Sequence, residues 1–390
     1  MNLNRRQFLI LGGAFGGVGL SIATHRLWAT QQVDAQQLDQ PPSPAASPST
    51  EPGGMVEVVG VGEVFNPPRG DVRIVTISDL NSQYGSTEYE PEVDKAIALL
   101  PVWQPDIVLC GGDMVAGQAP SLTTSEIQAM WAAFDRHVSA PLRQAGIPYG
   151  FTLGNHDASS ARSIDGGYLF ANERDQAAAY WNNPAHEPGL SFVDRAQFPF
   201  YYTFQHKGIF GLVWDASSAQ ISAEQLAWVE RSLASEMAQS AKLRLAIGHL
   251  PLYAITVGRE DPGEYLENAE ALRSLLERYQ VHTYISGHDH AYYPGHKGKL
   301  ELLQCGILGS GVRPLLNGEV VPMKTLTIVD VALDQAETTY TTFNMKTMEL
   351  VNLQQLPRLI ASPTGKVLRR DLQEADLTPA EQAIEYEPSA

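Results

Sequence analysis

The sequence is poor in cysteine and in positive charge. Its 390 residues include two cysteines, Cys110 and Cys305, which allow one bridge at most and exclude a disulfide-based scaffold. Both lie in apolar runs, so we expect two buried free thiols. The 27 lysines and arginines stand against 44 aspartates and glutamates, a formal net charge of −17. General nucleic-acid binding and electrostatic docking on anionic lipid both need a basic face, so neither is expected.

The N-terminal apolar run is too short to span a membrane comfortably. It covers residues 8–23, whereas a transmembrane helix needs ~20 apolar residues. The pair Arg5-Arg6 directly precedes it, which predicts a twin-arginine signal peptide over residues 1–29 and export to the periplasm or cell envelope. Leu27 stands where a small residue is expected before the cleavage site, so an uncleaved membrane anchor and a general secretory signal stay open as alternatives.

Composition divides the rest of the chain into three parts. Residues 30–54 are rich in glutamine, proline and serine and predict a disordered linker, because they cannot bury a core. Apolar strand-like runs then alternate with helical stretches over residues 55–350, which is typical of one α/β domain. Residues 351–390 are polar and interrupted by proline, and we expect a loosely attached tail there.

Residues with metal-binding side chains follow five of the predicted strands. They are Asp79 with Asn81; Asp113; Asn155 with His156 and Asp157; His249; and His288 with His290. Aspartate and asparagine often cap turns, but turn capping does not explain three loops in which histidine and glycine stand together. Imidazole, carboxylate and amide oxygen are typical ligands of a two-metal site for Mn, Fe or Zn. Two such ions suit hydrolysis at phosphorus, because they generate hydroxide near neutral pH and hold the phosphoryl oxygens.

The five loops resemble, in the same order, the motifs of the calcineurin-like metallophosphoesterase superfamily, which includes purple acid phosphatases and related phosphodiesterases. The matching segments are Asp79-Leu80-Asn81, Gly112-Asp113, Gly154-Asn155-His156-Asp157, Gly248-His249-Leu250-Pro251 and Gly287-His288-Asp289-His290. The resemblance implies an α/β fold with two stacked mixed β-sheets flanked by helices, in the form of a four-layer sandwich.

The resemblance also implies two metal ions. It places Asp79 and His290 on the first ion and makes Asp113 a bridge between both ions. The residues that complete the second site are Asn155, His249 and His288. The identity of the ions stays open among Mn, Fe and Zn.

Two further residues take catalytic roles by the same resemblance. His156 corresponds to a histidine that contacts the phosphate and helps to protonate the leaving group. Asp157 is expected to hold the His156 ring in the productive tautomer, since a carboxylate beside a working histidine commonly does so.

One position departs from the pattern, because Asn81 stands where most of the superfamily has a histidine ligand. Its amide oxygen could bind the first metal and favour Mn, Mg or Fe over Zn. It could instead contact substrate and leave a coordination position for water, or mark a degenerate first site. Purple acid phosphatases also lack this histidine and use a tyrosine three residues after the bridging aspartate. That position is Ala116 here, so an iron–tyrosinate centre is not implied.

These observations predict an exported, dinuclear metal-dependent phosphoesterase in which a metal-bound hydroxide attacks the phosphorus. A small phosphate monoester or diester is the expected substrate, because a long polyanion such as a nucleic acid would meet an acidic surface. A membrane would be involved only through an uncleaved N-terminal segment. The alternative is a metal- or phosphate-binding protein with little turnover, which the presence of Asn81 suggests.

Overall fold

The computed structural model describes residues 64–386, so the predicted signal peptide (residues 1–29) and linker (residues 30–54) lie outside the described residues. The strands of this range, in chain order, are β1 (Val72–Ile77), β2 (Ile107–Cys110), β3 (Tyr149–Phe151), β4 (Ser191–Gln197), β5 (Tyr201–His206), β6 (Ile209–Val213), β7 (Leu243–Ile247), β8 (Thr283–Ser286), β9 (Tyr292–Lys297), β10 (Leu300–Cys305), β11 (Thr325–Ala332), β12 (Glu337–Asn344), β13 (Leu359–Ser362) and β14 (Gly365–Arg369). Within the same range, no helix combines the length and apolar character needed to cross a membrane.

The helices connect these strands on the outside of the sheets. In chain order they are α1 (Pro91–Trp103), α2 (Thr124–Phe134), α3 (Ala140–Gln144), α4 (Asn155–Ala158), α5 (Ala171–Trp181), α6 (Ala223–Ala234), α7 (Glu236–Gln239), α8 (Ala269–Arg278) and α9 (Pro379–Gln382). A π-helical turn, Asp135–Ser139, joins α2 to α3, so these elements form one continuous helical stretch. A capping box begins α2, because Thr123 Oγ1 accepts from the Glu126 backbone N–H and the Glu126 carboxylate accepts from Thr123 N–H.

The strands form two mixed sheets, as the sequence predicts. One sheet has five strands in the order β12-β11-β1-β2-β3, and the other has nine in the order β13-β14-β9-β10-β8-β7-β6-β5-β4. In the smaller sheet β1 is parallel to β2 and antiparallel to β11. Side chains of both sheets line the same internal gap, among them Ile74 and Val329 from the smaller sheet and Leu245 and Ile285 from the larger one. The sheets therefore stack face to face.

The direction of the strands brings the polar loops together. Strands β1, β2 and β3 are parallel neighbours, and so are β7 and β8 in the other sheet. Each of these strands is fully buried, as expected for strands covered on both faces. Because parallel strands end at one edge of a sheet, the loops that follow them meet there, and ligands bind at that edge in such folds.

An aromatic cluster supports the loop after β3. Phe151 at the end of β3 stacks on Trp181 of α5 with ring centroids 3.9 Å apart, and Trp131 stacks on Tyr180 at 4.9 Å. Trp131 and Trp181 also meet edge to face. Such pairs add to the stabilisation that comes from burying the rings. The loop that carries Asn155 is thus anchored to a rigid part of the core.

The C-terminal segment differs from the expected loose tail. Residues 359–369 form the hairpin of β13 and β14, which extends the nine-stranded sheet by pairing with β9. Ile360 and Val367 are fully buried, and Arg369 is 1% exposed. The hairpin consists of strands of four and five residues that hold only a few apolar side chains, which is too little to be recognised within a polar stretch of sequence. The tail prediction is therefore wrong for these residues.

Truncation of Ile360 tests whether this hairpin is part of the core. Because Ile360 is fully buried, we expect Ile360→Ala to lower the free energy of unfolding by about 2–5 kcal/mol. Urea denaturation of the variant measures this change. Val321→Ala is the control, since Val321 is 77% exposed. Equal, near-zero effects for both variants would contradict the structural role of the hairpin.

Candidate metal centre

Four of the candidate ligands have a backbone conformation that is uncommon for residues other than glycine. The φ angles are 52° at Asp79, 55° at Asp113, 70° at His288 and 55° at His290. All four lie in loops that follow buried strands, two to four residues beyond the strand ends, and the left-handed conformation turns the chain sharply there. Such strained residues persist where the surrounding structure holds them, and they cluster at functional sites.

Backbone contacts hold these turns against each other. Asp79 N–H donates to the Gly112 carbonyl at 2.9 Å, and Leu80 N–H donates to the Asp113 carbonyl at 2.8 Å. Gly309 N–H in turn donates to the Asp79 carbonyl at 2.7 Å. The loops after β1, β2 and β10 are thereby locked into one unit.

Two glycines of the sequence motifs are needed for close approach. A Cβ atom on Gly154 would lie 2.0 Å from Asp113 Oδ1, and one on Gly287 would lie 2.1 Å from Ser78 Oγ. No side chain fits at either position without displacing the carboxylate or the loop. The glycines of these motifs therefore let the candidate ligands reach each other.

The carboxylates of Asp79 and Asp113 and the imidazole of His249 form a buried cluster. One ligand atom from each lies within 4.8 Å of the other two, a spacing at which they could hold a metal ion. Asp113 Oδ2 lies 3.4 Å from His249 Nε2. On the other side, Asp79 Oδ1 lies 3.3 Å from His290 Nε2. His290 thus joins the Asp79 side of the cluster.

Asn155 and His288 extend the cluster on the His249 side. Asn155 Oδ1 lies 2.8 Å from His249 Nε2 and 3.0 Å from His288 Nδ1, and the two ring nitrogens are 3.3 Å apart. Asn155 reaches this position because it begins α4 directly after Gly154. Two groups of donor atoms result, one around Asp79 and His290 and one around Asn155, with Asp113 beside both.

The second nitrogen of each candidate histidine ligand is bound to another protein group. His249 Nδ1 lies 2.8 Å from the Gly111 carbonyl, His290 Nδ1 lies 2.8 Å from the Gly311 carbonyl, and His288 Nε2 lies 2.9 Å from Glu264 Oε2. Acceptors at these positions place the ring proton outside the cluster and leave the inner nitrogen free to bind a metal.

One inner nitrogen shows directly that the centre suits a cation. His290 Nε2 is buried and lies 3.3 Å from Asp79 Oδ1, but within the described part of the chain it has no partner with hydrogen-bond geometry. A buried nitrogen without a partner is costly, and coordination of a metal ion would remove that cost. Together with the carboxylate, amide and imidazole donors, this atom fits a divalent metal such as Mn, Fe or Zn.

Asn81 also lies at the centre. The side chain is 5% exposed, its backbone N–H donates to the Asp113 carbonyl at 3.2 Å, and its own carbonyl accepts from Ser310 N–H at 3.1 Å. These backbone contacts hold Asn81 in the loop of Asp79, and a side-chain amide is a group that can bind a metal ion or contact a substrate atom.

Charges in the cluster favour a bound cation. Burial raises the pKa of Asp79, but the proximity and charge of the His290 imidazole outweigh it and hold that pKa below its ordinary value. Burial likewise opposes ionisation of Asp113, but the charges of His249 and His156 outweigh it and lower the Asp113 pKa. Two ionised carboxylates buried side by side require compensating positive charge, which metal ions would supply.

The histidines of the second group respond to the same field in opposite directions. Burial lowers the pKa of His249, but the charge of Asp113 dominates and raises it to about 9. For His288, burial and the charge of Arg259 lower the pKa to about 3. These shifts favour the neutral form of His288 and the protonated form of His249, so a metal ion that binds His249 would displace its proton.

The expected role of Asp157 is wrong. Asp157 Oδ1 accepts from the backbone N–H groups of Met114 and Val115 at 2.8 and 2.9 Å, and its Oδ2 accepts from Gly154 N–H at 2.8 Å. The carboxylate therefore accepts hydrogen bonds from backbone groups of the loops after β2 and β3 and does not bind the His156 ring. Burial and the charge of Asp113 raise its pKa to about 7.

The carbonyl of Gly117 orients His156 instead. His156 Nδ1 lies 2.9 Å from this carbonyl, which can only accept, so Nδ1 carries the proton. The opposite atom, Nε2, lies 3.9 Å from Asp113 Oδ2. Adjacency in the sequence suggested Asp157, whereas the helical turn at residues 155–158 directs its carboxylate away from the ring.

Two residues that support the ligands carry no recognisable signal in the sequence. Gln118 Oε1 accepts from Asn155 Nδ2 at 2.7 Å, which aims the Asn155 oxygen at the histidines. Glu264 accepts from His288 and pairs with Arg259, and although burial opposes it, these contacts lower its pKa to about 2. Both lie in loops without a repeated pattern, and folding alone brings them to the centre.

Comparison with known proteins agrees with this geometry. A family model described as calcineurin-like phosphoesterase matches residues 72–292, which is more than half of the chain. No curated protein sequence matches this chain. Among solved structures, a purple acid phosphatase from yellow lupin (Lupinus luteus) seeds is 18% identical with a TM-score of 0.53, covering 72% of this chain. The match covers 52% of the lupin chain, so this chain spans about half the length of that phosphatase.

More distant matches include two further structures. A putative 5′-nucleotidase from Staphylococcus aureus is 12% identical with a TM-score of 0.39, over 80% of this chain and 56% of that one. GAP50, the anchor in the inner membrane complex of Plasmodium, is 12% identical with a TM-score of 0.44, over 72% of this chain and 87% of that one. At these identities the lupin structure supports the shared fold, and the other two carry no further weight.

Removal of the Gln118 side chain tests its hold on Asn155. Gln118 has a φ of 67°, so Gln118→Gly removes the amide without straining the backbone. We expect one equivalent of Mn²⁺ to bind about 10- to 100-fold more weakly, because Asn155 loses the partner that aims its oxygen. Titration calorimetry measures both equivalents.

A matched control for this variant lies just before a strand of the larger sheet, not in a loop that carries ligands. Gln280 also has a left-handed backbone, with a φ of 56°, and it precedes β8 instead of following it. Gln280→Gly should leave the affinity for Mn²⁺ unchanged. Equal affinities for wild type and Gln118→Gly would contradict the orienting role of Gln118.

Glu173, which holds the loop of Gln118, makes stability depend on pH. The Glu173 carboxylate accepts from Gln118 N–H at 3.0 Å, and burial raises its pKa from 4.5 to about 7. The folded state therefore binds more protons than the unfolded state between these values, so stability falls as the pH rises through this window. Above it, the loss reaches roughly 3 kcal/mol.

The variant Glu173→Gln should remove this part of the pH dependence. Relative to wild type, it should gain stability on going from pH 4.5 to pH 8, as measured by urea denaturation at both pH values. Glu349→Gln, at an exposed position, serves as the control. Parallel pH profiles for wild type and Glu173→Gln would refute the effect.

Proposed function

Because this chain belongs to the calcineurin-like phosphoesterase family, we propose that it is an exported, dinuclear enzyme that hydrolyses small phosphate monoesters or diesters. Family membership implies metal-dependent hydrolysis of phosphoesters as a class. The observation that supports the proposal best is the buried cluster of Asp79, Asp113 and His249, whose ligand atoms lie within 4.8 Å of one another. Asn155, His288 and His290 surround this cluster.

The donor groups suit two ions that share Asp113. Asp79 and His290 would hold the first ion, with the buried amide of Asn81 as an additional ligand. The second ion would be held, besides Asp113, by Asn155, His249 and His288. When bound, the ions supply positive charge that lowers the pKa of a water nucleophile and offsets charge on the phosphoryl oxygens.

His156 is placed to act on the leaving oxygen. Its Nδ1 proton is held by the Gly117 carbonyl, so Nε2 is the atom that exchanges a proton with substrate. Nε2 lies 3.9 Å from Asp113 Oδ2, and the side chain is 14% exposed, which places it between the centre and solvent. A proton on Nε2 can therefore pass to the oxygen that departs from phosphorus.

The backbone of His156 also orients Asp113. His156 N–H donates to Asp113 Oδ1 at 2.9 Å, which leaves Oδ2 directed at His249. One carboxylate oxygen is thus fixed by the helix that carries the proton donor. This contact sets the distance between His156, the proposed proton donor to the leaving oxygen, and the candidate metal ligands.

The proposed size of the substrate rests on the net charge of the protein, and the proposed location of the protein rests on its N-terminal sequence. A net charge of −17 disfavours long polyanions, although the centre itself becomes positive when two dications are bound. Export rests on the twin-arginine sequence alone. A low-turnover metal- or phosphate-binding protein is the second candidate, because Asn81 replaces a histidine of the family pattern.

Hydrolysis of 4-nitrophenyl phosphate and of its diester, bis(4-nitrophenyl) phosphate, tests the proposal. Each ester is assayed with the full chain and added Mn, Fe, Zn, Mg or no metal. His156→Ala should lower kcat by about 10²- to 10⁴-fold while Mn²⁺ still binds with unchanged stoichiometry. Asp113→Ala should abolish both turnover and tight binding, because it removes the shared ligand.

His186 provides the control substitution for these variants. His186→Ala should leave both turnover and metal binding unchanged, since His186 stacks on Tyr180 away from the centre. Tight Mn²⁺ binding without turnover of either ester would favour the binding protein. Turnover that survives Asp113→Ala would show that the centre is assigned to the wrong residues.

A further inference from the structure

A tyrosine lies exposed beside the metal centre. Tyr84 is 64% exposed, although it follows the first ligand loop by only a few residues. Other tyrosines near the ligand loops are engaged elsewhere. Tyr89 donates its hydroxyl to the Met114 carbonyl at 2.7 Å, and Tyr292 and Tyr293 are buried. Exposure of an aromatic ring at this position calls for an explanation beyond packing.

The ring of Tyr84 contacts the imidazole of His156. The ring centroids are 5.2 Å apart, and the planes are inclined by 37°. The imidazole is fixed on its other side, because Nδ1 is held by the Gly117 carbonyl. Tyr84 therefore stands next to the group that acts on the leaving oxygen, and most of its surface faces solvent.

The turn that carries Tyr84 is tied down on both sides. Gly85 N–H donates to the Ala116 carbonyl at 2.7 Å, in the same loop that holds His156. Gly85 has a φ of 78°, which favours glycine. Before it, Ser82 Oγ donates to the Glu88 carbonyl at 2.9 Å and closes the turn. The exposed ring is thus presented in a defined place.

We propose that Tyr84 is a specificity residue that stacks on a flat aromatic leaving group. This inference rests on the proposed function, in which His156 protonates the leaving oxygen. A leaving group bonded to that oxygen extends past His156 toward solvent, and Tyr84 is the aromatic surface beside this path. Tyrosine rings attract flat rings in offset or tilted arrangements, and a saturated group gains less. The substrates are therefore phosphoesters of aryl or heteroaryl groups.

Matched substrates of similar size test this specificity. The metal-loaded full chain is assayed with phenyl phosphate and cyclohexyl phosphate, before and after the substitution Tyr84→Ala. We expect kcat/KM for phenyl phosphate to fall about two- to tenfold, mainly through KM, and that for cyclohexyl phosphate to change less. Tyr84→Phe should retain the preference. Gln83→Ala, on the same exposed turn, should leave both substrates unaffected.

Equal losses on both substrates would overturn the proposal and would mean that Tyr84 shields His156 instead. A second measurement does not depend on turnover. In the presence of Mn²⁺, phenylphosphonate should bind wild type more tightly than cyclohexylphosphonate does, and Tyr84→Ala should remove the difference. If wild type hydrolyses neither ester, the proposed function fails, while binding without a phenyl preference refutes the role of Tyr84 separately.

Discussion

The carboxylate of Asp113 connects the loops that form the candidate metal centre. Its Oδ1 accepts from His156 N–H, its Oδ2 faces His249 Nε2 at 3.4 Å, and its main-chain carbonyl accepts from Leu80 N–H. The smaller and the larger sheet both contribute to this set of contacts. His249, His156 and the loop of Asp79 are therefore all positioned against one residue in the loop after β2.

This arrangement is stable only if the rest of the fold compensates for two unfavourable contributions. A buried anion is expensive unless it is paired and hydrogen-bonded, and the left-handed turns at Asp79, Asp113, His288 and His290 add backbone strain. The sheets and the aromatic cluster around Trp181 supply the packing that holds these turns. The packing of the sheets and of the aromatic cluster thus keeps the metal ligands and their charges in place before any ion binds.

Much of the centre could be predicted from the sequence, because its ligands follow runs that are mainly apolar and predict strands. Asp79, Asp113 and His249 each follow such a run, and the glycines before Asp113 and His249 indicate sharp turns. The hairpin that includes Ile360 could not be predicted in this way, because its runs are short and its partner β9 is distant in sequence. Nor could the contact of Asp157, since neighbouring residues on a helical turn point in different directions.

The sequence by itself therefore determined the fold class, the edge of the sheets where the ligands collect and the chemistry of the donors, since these follow from local pattern and residue type. Only the tertiary structure decided which groups hold the ligands: Gln118 on Asn155, Glu264 on His288 and the Gly117 carbonyl on His156. These contacts join loops whose positions depend on the packing of whole sheets. No local pattern encodes such contacts, because their partners are set by distances in space rather than along the chain.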